Sequence, residues 1–282
     1  MQLNKRTTIS LEGVPASLND VAVIRAAIKR AKVKIPGVEL SIFSDVPEAS
    51  GLGGSASMTV SIVYGLSVLS EVPISLYEVA ERAQRAEADL GMLNGYQDWY
   101  AAAFGGLLFL DFREKNNNPI EEEPYATVED LSPYMKKMKL VVADTRIRHN
   151  SALSNEVLYK RYIGKDRKVV SLVNRLDMIT REAKKAVVHE DMEKLSGIVK
   201  ENQEIIRKFG RSIPENEQLI DAAYRAGALA CKVTGAGQGG CIVAVCSGRR
   251  NQYTIRDALL EETDAVFPVE LDRGVRAEFK EK

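Results

Sequence analysis

The apolar positions along the chain change period several times, and each change marks an element. Residues 3–11 are polar and β-branched and predict a strand. Between residues 17 and 33, Val21, Ile24, Ala27, Ile28 and Ala31 recur at helical spacing and predict an amphipathic helix. Residues 38–46, VELSIFSDV, alternate and predict a strand. A glycine- and serine-rich loop follows, then an apolar run that predicts a helix to about residue 69. Ser75 predicts the next helix start, because Glu78 three residues on completes a capping box. GGLLFLDF at 105–112 predicts a strand after a glycine turn, the polar residues 113–124 an exposed loop or hairpin, and KLVVADT at 139–145 a buried strand. Residues 151–209 are helical in pattern almost throughout. A helix over 217–227, strands at 230–234 and 241–246, a helix over 253–262 and a final strand within 266–279 complete the pattern. This is a mixed α+β chain with an expected domain boundary near residue 147.

Composition narrows the function classes. With 282 residues, 45% hydrophobic and 28% charged, the chain can bury one large core or two ordinary ones. Lys+Arg and Asp+Glu both number 39, so net charge supplies no pull toward nucleic acid or an acidic membrane, and neither is expected as a partner. Cys231, Cys241 and Cys246 are too few and too odd for a disulfide framework, and with two histidines a zinc site is not expected. A reducing, cytoplasmic setting fits. The start, MQLNKRTTIS, does not resemble a signal peptide. No apolar run reaches the roughly 18 to 20 residues of a membrane helix.

Candidate chemistry lies in three places. The first is SGLGGSAS, residues 50–57, between a predicted strand and a predicted helix. It lacks the Gly-Lys-Ser/Thr ending of a Walker A loop. Its glycines can nonetheless turn backbone N–H groups toward one point, and a helix N-terminus adds orphan donors and partial positive charge. Ser55 or Ser57 could offer a hydroxyl to a metal. A plain strand-to-helix turn with a serine cap explains the same residues. The second place is KVTGAGQGGCIVAV, residues 232–245, where Gly235, Gly237 and Gly240 match G-x-G-x-x-G. The dinucleotide fingerprint requires a helix next, and CIVAVC predicts a strand, so that reading fails. Four glycines exceed what a plain hairpin needs, and close backbone approach to a ligand or another segment is expected.

The third place holds Glu87 and Asp98, eleven residues apart. On one unbroken helix they would stand about three turns apart, roughly 16 Å, too far to share a metal. Gly91 and Asn94-Gly95 interrupt that helix and allow Asp98 to fold back toward Glu87 and the first loop. Asp98 has Tyr96, Trp99, Tyr100 and Ala101 to Ala103 as neighbours in sequence, an apolar setting in which a carboxylate is either paired or functional. A helix cap or a solvated acid is the plainer alternative. Arg146, Arg148 and His149 cluster after the 139–145 strand, where arginine forks suit a phosphate or carboxylate. A solvated basic loop, with Asn150 or Ser151 capping the next helix, is the plainer alternative.

The segments PEASGLGGSAS, NGYQDWYAAAFGGLLFLDF and KVTGAGQGGCIVAV, in this order, resemble the GHMP kinases: galactokinase, homoserine kinase, mevalonate kinase and phosphomevalonate kinase. The resemblance runs from about residue 38 to the end. Within the family it is closest to the heptose 7-phosphate kinase-like sugar kinases; mevalonate kinases usually carry Pro-Ser-Gly where this chain has Leu93-Asn94-Gly95. The resemblance implies a two-domain α+β fold. Residues 1–146 would be the ATP-binding half, ribosomal protein S5 domain 2-like, and residues 147–282 a ferredoxin-like α+β half. It implies ATP and Mg²⁺ as cofactors, and transfer of a phosphoryl group to a small sugar or sugar phosphate, with homodimerisation left open. Gly51, Leu52, Gly53, Gly54, Ser55, Ala56 and Ser57 would cradle the triphosphate, Ser55 and Glu87 would hold Mg²⁺, and Asp98 would be the base. Gly235, Ala236, Gly237 and Gly239 would line the acceptor site, and Arg148 matches an arginine of heptose-phosphate kinases. One family motif is unmatched: a Lys or Arg beside Pro and Gly residues, then Gly-x-x-x-Asp, ahead of the first loop. The expectation is therefore an N-terminal half lacking its first strands. The alternatives are a nucleotide-binding homologue with reduced catalysis and a mevalonate-pathway kinase.

Overall fold

The computed structural model describes residues 8–11, 14–16, 22–34, 37–92, 95–115, 122, 124–148 and 151–278. Parts of the first expected strand and helix (3–7 and 17–21), Leu93, Asn94, most of 116–123, His149 and Asn150 lie outside them. Tertiary contacts sort the chain into two units. One takes residues 1–47, 53–129 and 272–282, the other 48–52 and 130–271. These divisions fall at other positions than the 146/147 boundary read from the sequence.

In the first unit, β1 (Thr8–Leu11) pairs antiparallel with β2 (Val14–Ala16) and parallel with β3 (Glu39–Ile42). Four helices follow the apolar pattern: α1 (Ala22–Ala31), α2 (Gly54–Leu69), α3 (Leu76–Ala88) and α4 (Gln97–Phe104). Helix α2 is apolar on more than one side because α1, α3 and α4 all pack on it, burying Ala56, Val60, Val63 and Leu66. Helix α3 starts at the expected capping box. The Ser75 hydroxyl accepts from the Glu78 N–H at 3.2 Å, and the Ser75 N–H donates to Glu78 Oε2 at 3.3 Å. The helical pattern breaks between Ala88 and Gln97, with Gly91 at φ 76°, as Gly91 and Gly95 predicted.

Helix α4 is short and tightly fastened. Trp99, Tyr100 and Ala103 turn into the core. Tyr100 Oη donates to buried Glu81 at 2.5 Å and accepts from the Ala126 N–H at 3.1 Å. Lys115 closes on the same carboxylate at 2.6 Å. At the far end, the segment from Asp272 runs along the end of α4. The Gly106 N–H donates to the Asp272 carbonyl at 2.7 Å, and the Val275 N–H donates to the Ala102 carbonyl at 3.0 Å. The expected strand over 105–112 is β4 (Leu108–Asp111), which sits beside β5 (Thr127–Asp130), a strand the sequence pattern did not predict.

The second unit is built on an antiparallel sheet in the order β7-β8-β6-β9: β6 (Lys139–Asp144), β7 (Ala230–Val233), β8 (Cys241–Cys246) and β9 (Val266–Val269). Val142 stands opposite Val243 in the centre, and Pro268 lies on the edge strand, where a missing N–H does no harm. The helical stretch is three helices, α5 (Ser151–Ile163), α6 (Arg167–Val188) and α7 (Met192–Lys208), the last two capped by Asp166 and Asp191. Helices α8 (Pro214–Arg225) and α9 (Arg249–Leu260) bury Ile220, Ala223, Ile255 and Leu259 with Val141, Ile242 and Ala244 of the sheet. Cys231, Cys241 and Cys246 are free and buried, and burial pushes their thiols up to about 12, 12 and 11. Such thiols are unreactive. The expected final strand ends at Val269, and the chain beyond Leu271 belongs to the first unit.

The fastening of α4 can be tested at Gly274, where an added Cβ would stand 2.0 Å from the Ala103 carbonyl oxygen. Gly274→Ala should lower Tm and make the C-terminal segment a site of limited proteolysis. An unchanged Tm with the segment still protected would show that this contact does not hold the segment.

Candidate functional site

The first glycine loop alternates in handedness. Ala49, Gly51 and Gly53 have φ of 49°, 75° and 71°, and the residues between them do not. Backbone of this kind turns successive N–H groups toward one side. Gly53 is the N-cap of α2 and carries no side-chain cap, so the serine cap of the plainer alternative is absent. The start of this sixteen-residue helix therefore has no side-chain cap, and its first-turn N–H groups carry the partial positive charge of a helix N-terminus. Ser55 Oγ is used elsewhere: it donates to Glu87 Oε1 at 2.6 Å. Glu87, 3% exposed, sits in the last turn of α3, so two hard oxygen ligands lie side by side at the start of α2.

Asp98 lies in the first turn of α4 and comes back to the same loop. A Cβ built on Gly53 would stand 3.6 Å from Asp98 Cβ and 3.8 Å from its Cγ. The break in the helix thus brings Asp98 to the start of α2, as the sequence suggested. Its surroundings differ from expectation. Trp99, Tyr100 and Ala103 point into the core, whereas Asp98 and Ala101 are on the opposite, exposed face of α4. Asp98 is open to solvent on one side and crowded by the loop on the other. Desolvation raises its carboxyl above 3.8, and the Gln97 hydrogen bond opposes this in part.

The second glycine loop, between β7 and β8, is pressed against other backbone. Gly235, Gly237, Gln238, Gly239 and Gly240 all have positive φ. A Cβ on Gly235 would lie 2.9 Å from Gly51 Cα, on Gly237 2.2 Å from the Arg211 carbonyl oxygen, on Gly239 2.6 Å from that of Ile147, and on Gly240 2.5 Å from that of Ser50. The expected close approach is therefore to other segments of the chain, including the start of the first loop. Hydrogen bonds hold it there. The Cys241 N–H donates to the Ser50 carbonyl at 2.9 Å, the Gly240 N–H to the Ile147 carbonyl at 2.9 Å and the Gln238 N–H to the Arg211 carbonyl at 2.7 Å. CIVAVC is strand β8, which removes the dinucleotide reading.

Two residues that the sequence did not flag complete this loop. Asn216, fully buried, accepts from the Gly239 N–H at 3.2 Å and donates to the Gly239 carbonyl at 3.3 Å. Arg211 donates to Asn155 Oδ1 at 3.0 Å and to the Ala236 carbonyl at 3.3 Å, and burial lowers its pKa. Nothing local marks Asn216 as a clamp, because its partner lies 23 residues away. The expected acceptor arginines are engaged. Arg148 meets Asp144 through two bonds of 2.8 Å, and Arg146 meets Asp264 at 2.9 Å. Burial would raise the Asp144 carboxyl, but its bonds to Arg148 and to the Arg146 N–H outweigh this and hold it below 3.8.

An uncapped helix start behind a glycine loop, a serine–glutamate pair and an aspartate beside Gly53 thus lie together in an α+β chain. Residues 21–106 match the GHMP kinases N terminal domain, and residues 183–265 match the GHMP kinases C terminal domain. The chain belongs to the GHMP kinase family. It is 30% identical to a mevalonate kinase of Archaeoglobus fulgidus, over 77% of this chain and 68% of that protein. It is 31% identical to a D-glycero-alpha-D-manno-heptose 7-phosphate kinase of Campylobacter jejuni, over 71% of this chain and 59% of that one. The Lin0012 protein of Listeria innocua shares the fold, with a TM-score of 0.81 at 17% identity, covering 96% of this chain and 87% of that chain. The matched region spans 66% and 62% of the length of the mevalonate kinases of Pyrococcus furiosus and Pyrococcus abyssi. Among the described residues no helix is long and apolar enough to cross a membrane.

The contact between the loops predicts opposite signs for one chemical change. Gly240→Ala, at φ 64° against backbone, should destabilise by about 1–3 kcal/mol or more. Gly197→Ala, inside α7 with open space around it, should stabilise by roughly 0.5–1 kcal/mol. Chemical denaturation measures both. Equal effects would refute the steric account of the second loop.

Proposed function

We propose that this chain is an ATP- and Mg²⁺-dependent kinase that phosphorylates a hydroxyl of a small sugar or sugar phosphate. The observation that carries this is the Ser55–Glu87 pair at the uncapped start of α2, with Asp98 standing over Gly53. In this reading the backbone of residues 51–57 binds the ATP phosphates, and the helix start favours their charge. Ser55 and Glu87 fit a hard divalent cation. Bound phosphates and water would supply its remaining ligands. When bound, Mg²⁺ would offset the charge of the phosphate oxygens. Asp98 takes the proton of the acceptor hydroxyl as its oxygen bonds to the γ-phosphorus, and the bond from that phosphorus to the bridging oxygen breaks and releases ADP.

Asp98 argues against a pure nucleotide binder, which needs no base. Exposure of its carboxylate suits contact with an acceptor. The second glycine loop is assigned to shaping residues 50–51, and the engaged Arg148 to acceptor recognition only if an anion displaces Asp144. Residues 1–146 and 147–282 are proposed as the family's N- and C-terminal halves. Mevalonate as acceptor is the second reading, favoured by the likeness to the Archaeoglobus enzyme.

Coupled ADP release across sugars, sugar phosphates and mevalonate tests the proposal, and no turnover with any of them, despite ATP binding, would sink it. Asp98→Asn should lower kcat by about 10²- to 10⁴-fold and leave ATP binding nearly intact. Glu87→Ala should raise the Mg²⁺ concentration needed for half-maximal rate. The pH behaviour has a definite sign. A carboxyl raised on folding costs stability above its unfolded pKa, so Asp98→Asn should raise Tm at neutral pH, and the gain should vanish below about 3.8. A Tm gain that persists at lower pH would mean that desolvation of the charge is not its source.

A further inference from the structure

Helices α2 and α4 meet through an apolar contact of Ala56, Val60, Val63, Tyr100 and Ala103, which is non-directional. Apolar packing alone tolerates small sliding, yet Asp98 and Ser55 sit in the first turns of these two helices and must keep a fixed spacing. Among the described residues one polar connection crosses the contact. Trp99 Nε1–H donates to Thr59 Oγ1 at 3.0 Å, with Thr59 fully buried and Trp99 4% exposed. Thr59 Oγ1 in turn lies 3.1 Å from the Ser55 carbonyl and 3.1 Å from the Ala56 carbonyl, to which it donates. Its hydroxyl thus accepts from α4 and donates its one proton into the first turn of α2. Trp99 is the residue after Asp98, and Ser55 holds Glu87. A short hydrogen-bond chain therefore runs from the neighbour of the proposed base to the backbone of the proposed metal ligand.

We propose that Trp99 and Thr59 are positioning residues, whose buried hydrogen bond fixes where Asp98 stands relative to Ser55 and Glu87. The directional bond selects one register of α4 on α2 out of those the apolar contact allows. Neither side chain touches a reacting atom. Their effect is on the alignment of base and phosphate, where displacement of about 1 Å can cost 10²-fold in rate. The inference rests on the roles proposed for Ser55, Glu87 and Asp98.

The test uses the full chain and Thr59→Val, which keeps the shape and removes the hydroxyl. The sequence has one tryptophan, so the indole Nε1–H gives a single resonance that reads the bond directly. Thr59→Val should shift this resonance and speed its exchange with solvent. It should lower kcat by roughly 10- to 100-fold while KM for ATP changes little. Thr59→Ser should restore both resonance and kcat. Trp99→Phe, which removes the donor together with the five-membered ring, should reproduce the kcat loss and serves if Thr59→Val fails to fold. Wild-type turnover with unchanged kcat in a folded variant that has lost the bond overturns the inference alone. Loss of kcat that Thr59→Ser does not rescue also overturns it. A wild-type chain that turns over no acceptor overturns the functional reading and this inference with it.

Discussion

Two loops lie backbone on backbone because no side chain stands between them. Gly235 rests on Gly51 and Gly240 on Ser50, at separations that a single Cβ would abolish, and the Cys241 N–H donates to the Ser50 carbonyl. Positive φ at Gly235, Gly237, Gly239 and Gly240 makes the approach possible. Residues 48–52 are thereby tied to the β7–β8 turn within one unit of the chain.

The other half of the site depends on α4, eight residues long and too short to persist alone. Its stability comes from burial and from fixed contacts along its length. Tyr100 and Lys115 converge on a fully buried Glu81, an arrangement costly to break once one partner is removed. The segment after Asp272 closes the far end. Those contacts use the inward face. The outward face is left to Asp98, so the features that hold the helix and the feature proposed to do chemistry do not compete for the same side chains.

Local signals were legible in the sequence. Ser75 and Glu78 announce a helix start because both halves of the capping box lie within one turn. Gly91 and Gly95 announce the break that returns Asp98 to the first loop. CIVAVC reads as a strand, a short apolar run rich in β-branched residues, which disposes of the dinucleotide reading. Long-range pairings were not legible. Asn216 looks like any polar residue near a helix start, and only the fold brings its amide to Gly239. Arg148 looks like an anion fork, and only the fold shows Asp144 already in it. Strand β5 is short and polar and takes its order from β4. The apolar setting expected for Asp98 came from neighbours in sequence. On a helix, residues 99, 100 and 103 lie on another face from 98 and 101, so the helical period itself contained the correction.

The central claim is that Ser55 and Glu87 form a cation site that works with nucleotide bound at the start of α2. Electron paramagnetic resonance of Mn²⁺, used in place of Mg²⁺, addresses it without an acceptor. The free-ion signal should fall sharply when ATP and the wild-type chain are both present, and should fall equally with Asp98→Asn. With Glu87→Gln the drop should be much smaller at the same concentrations. Equal Mn²⁺ binding by wild type and Glu87→Gln in the presence of ATP would contradict the assignment of the pair, and with it the reading of this site as a kinase centre.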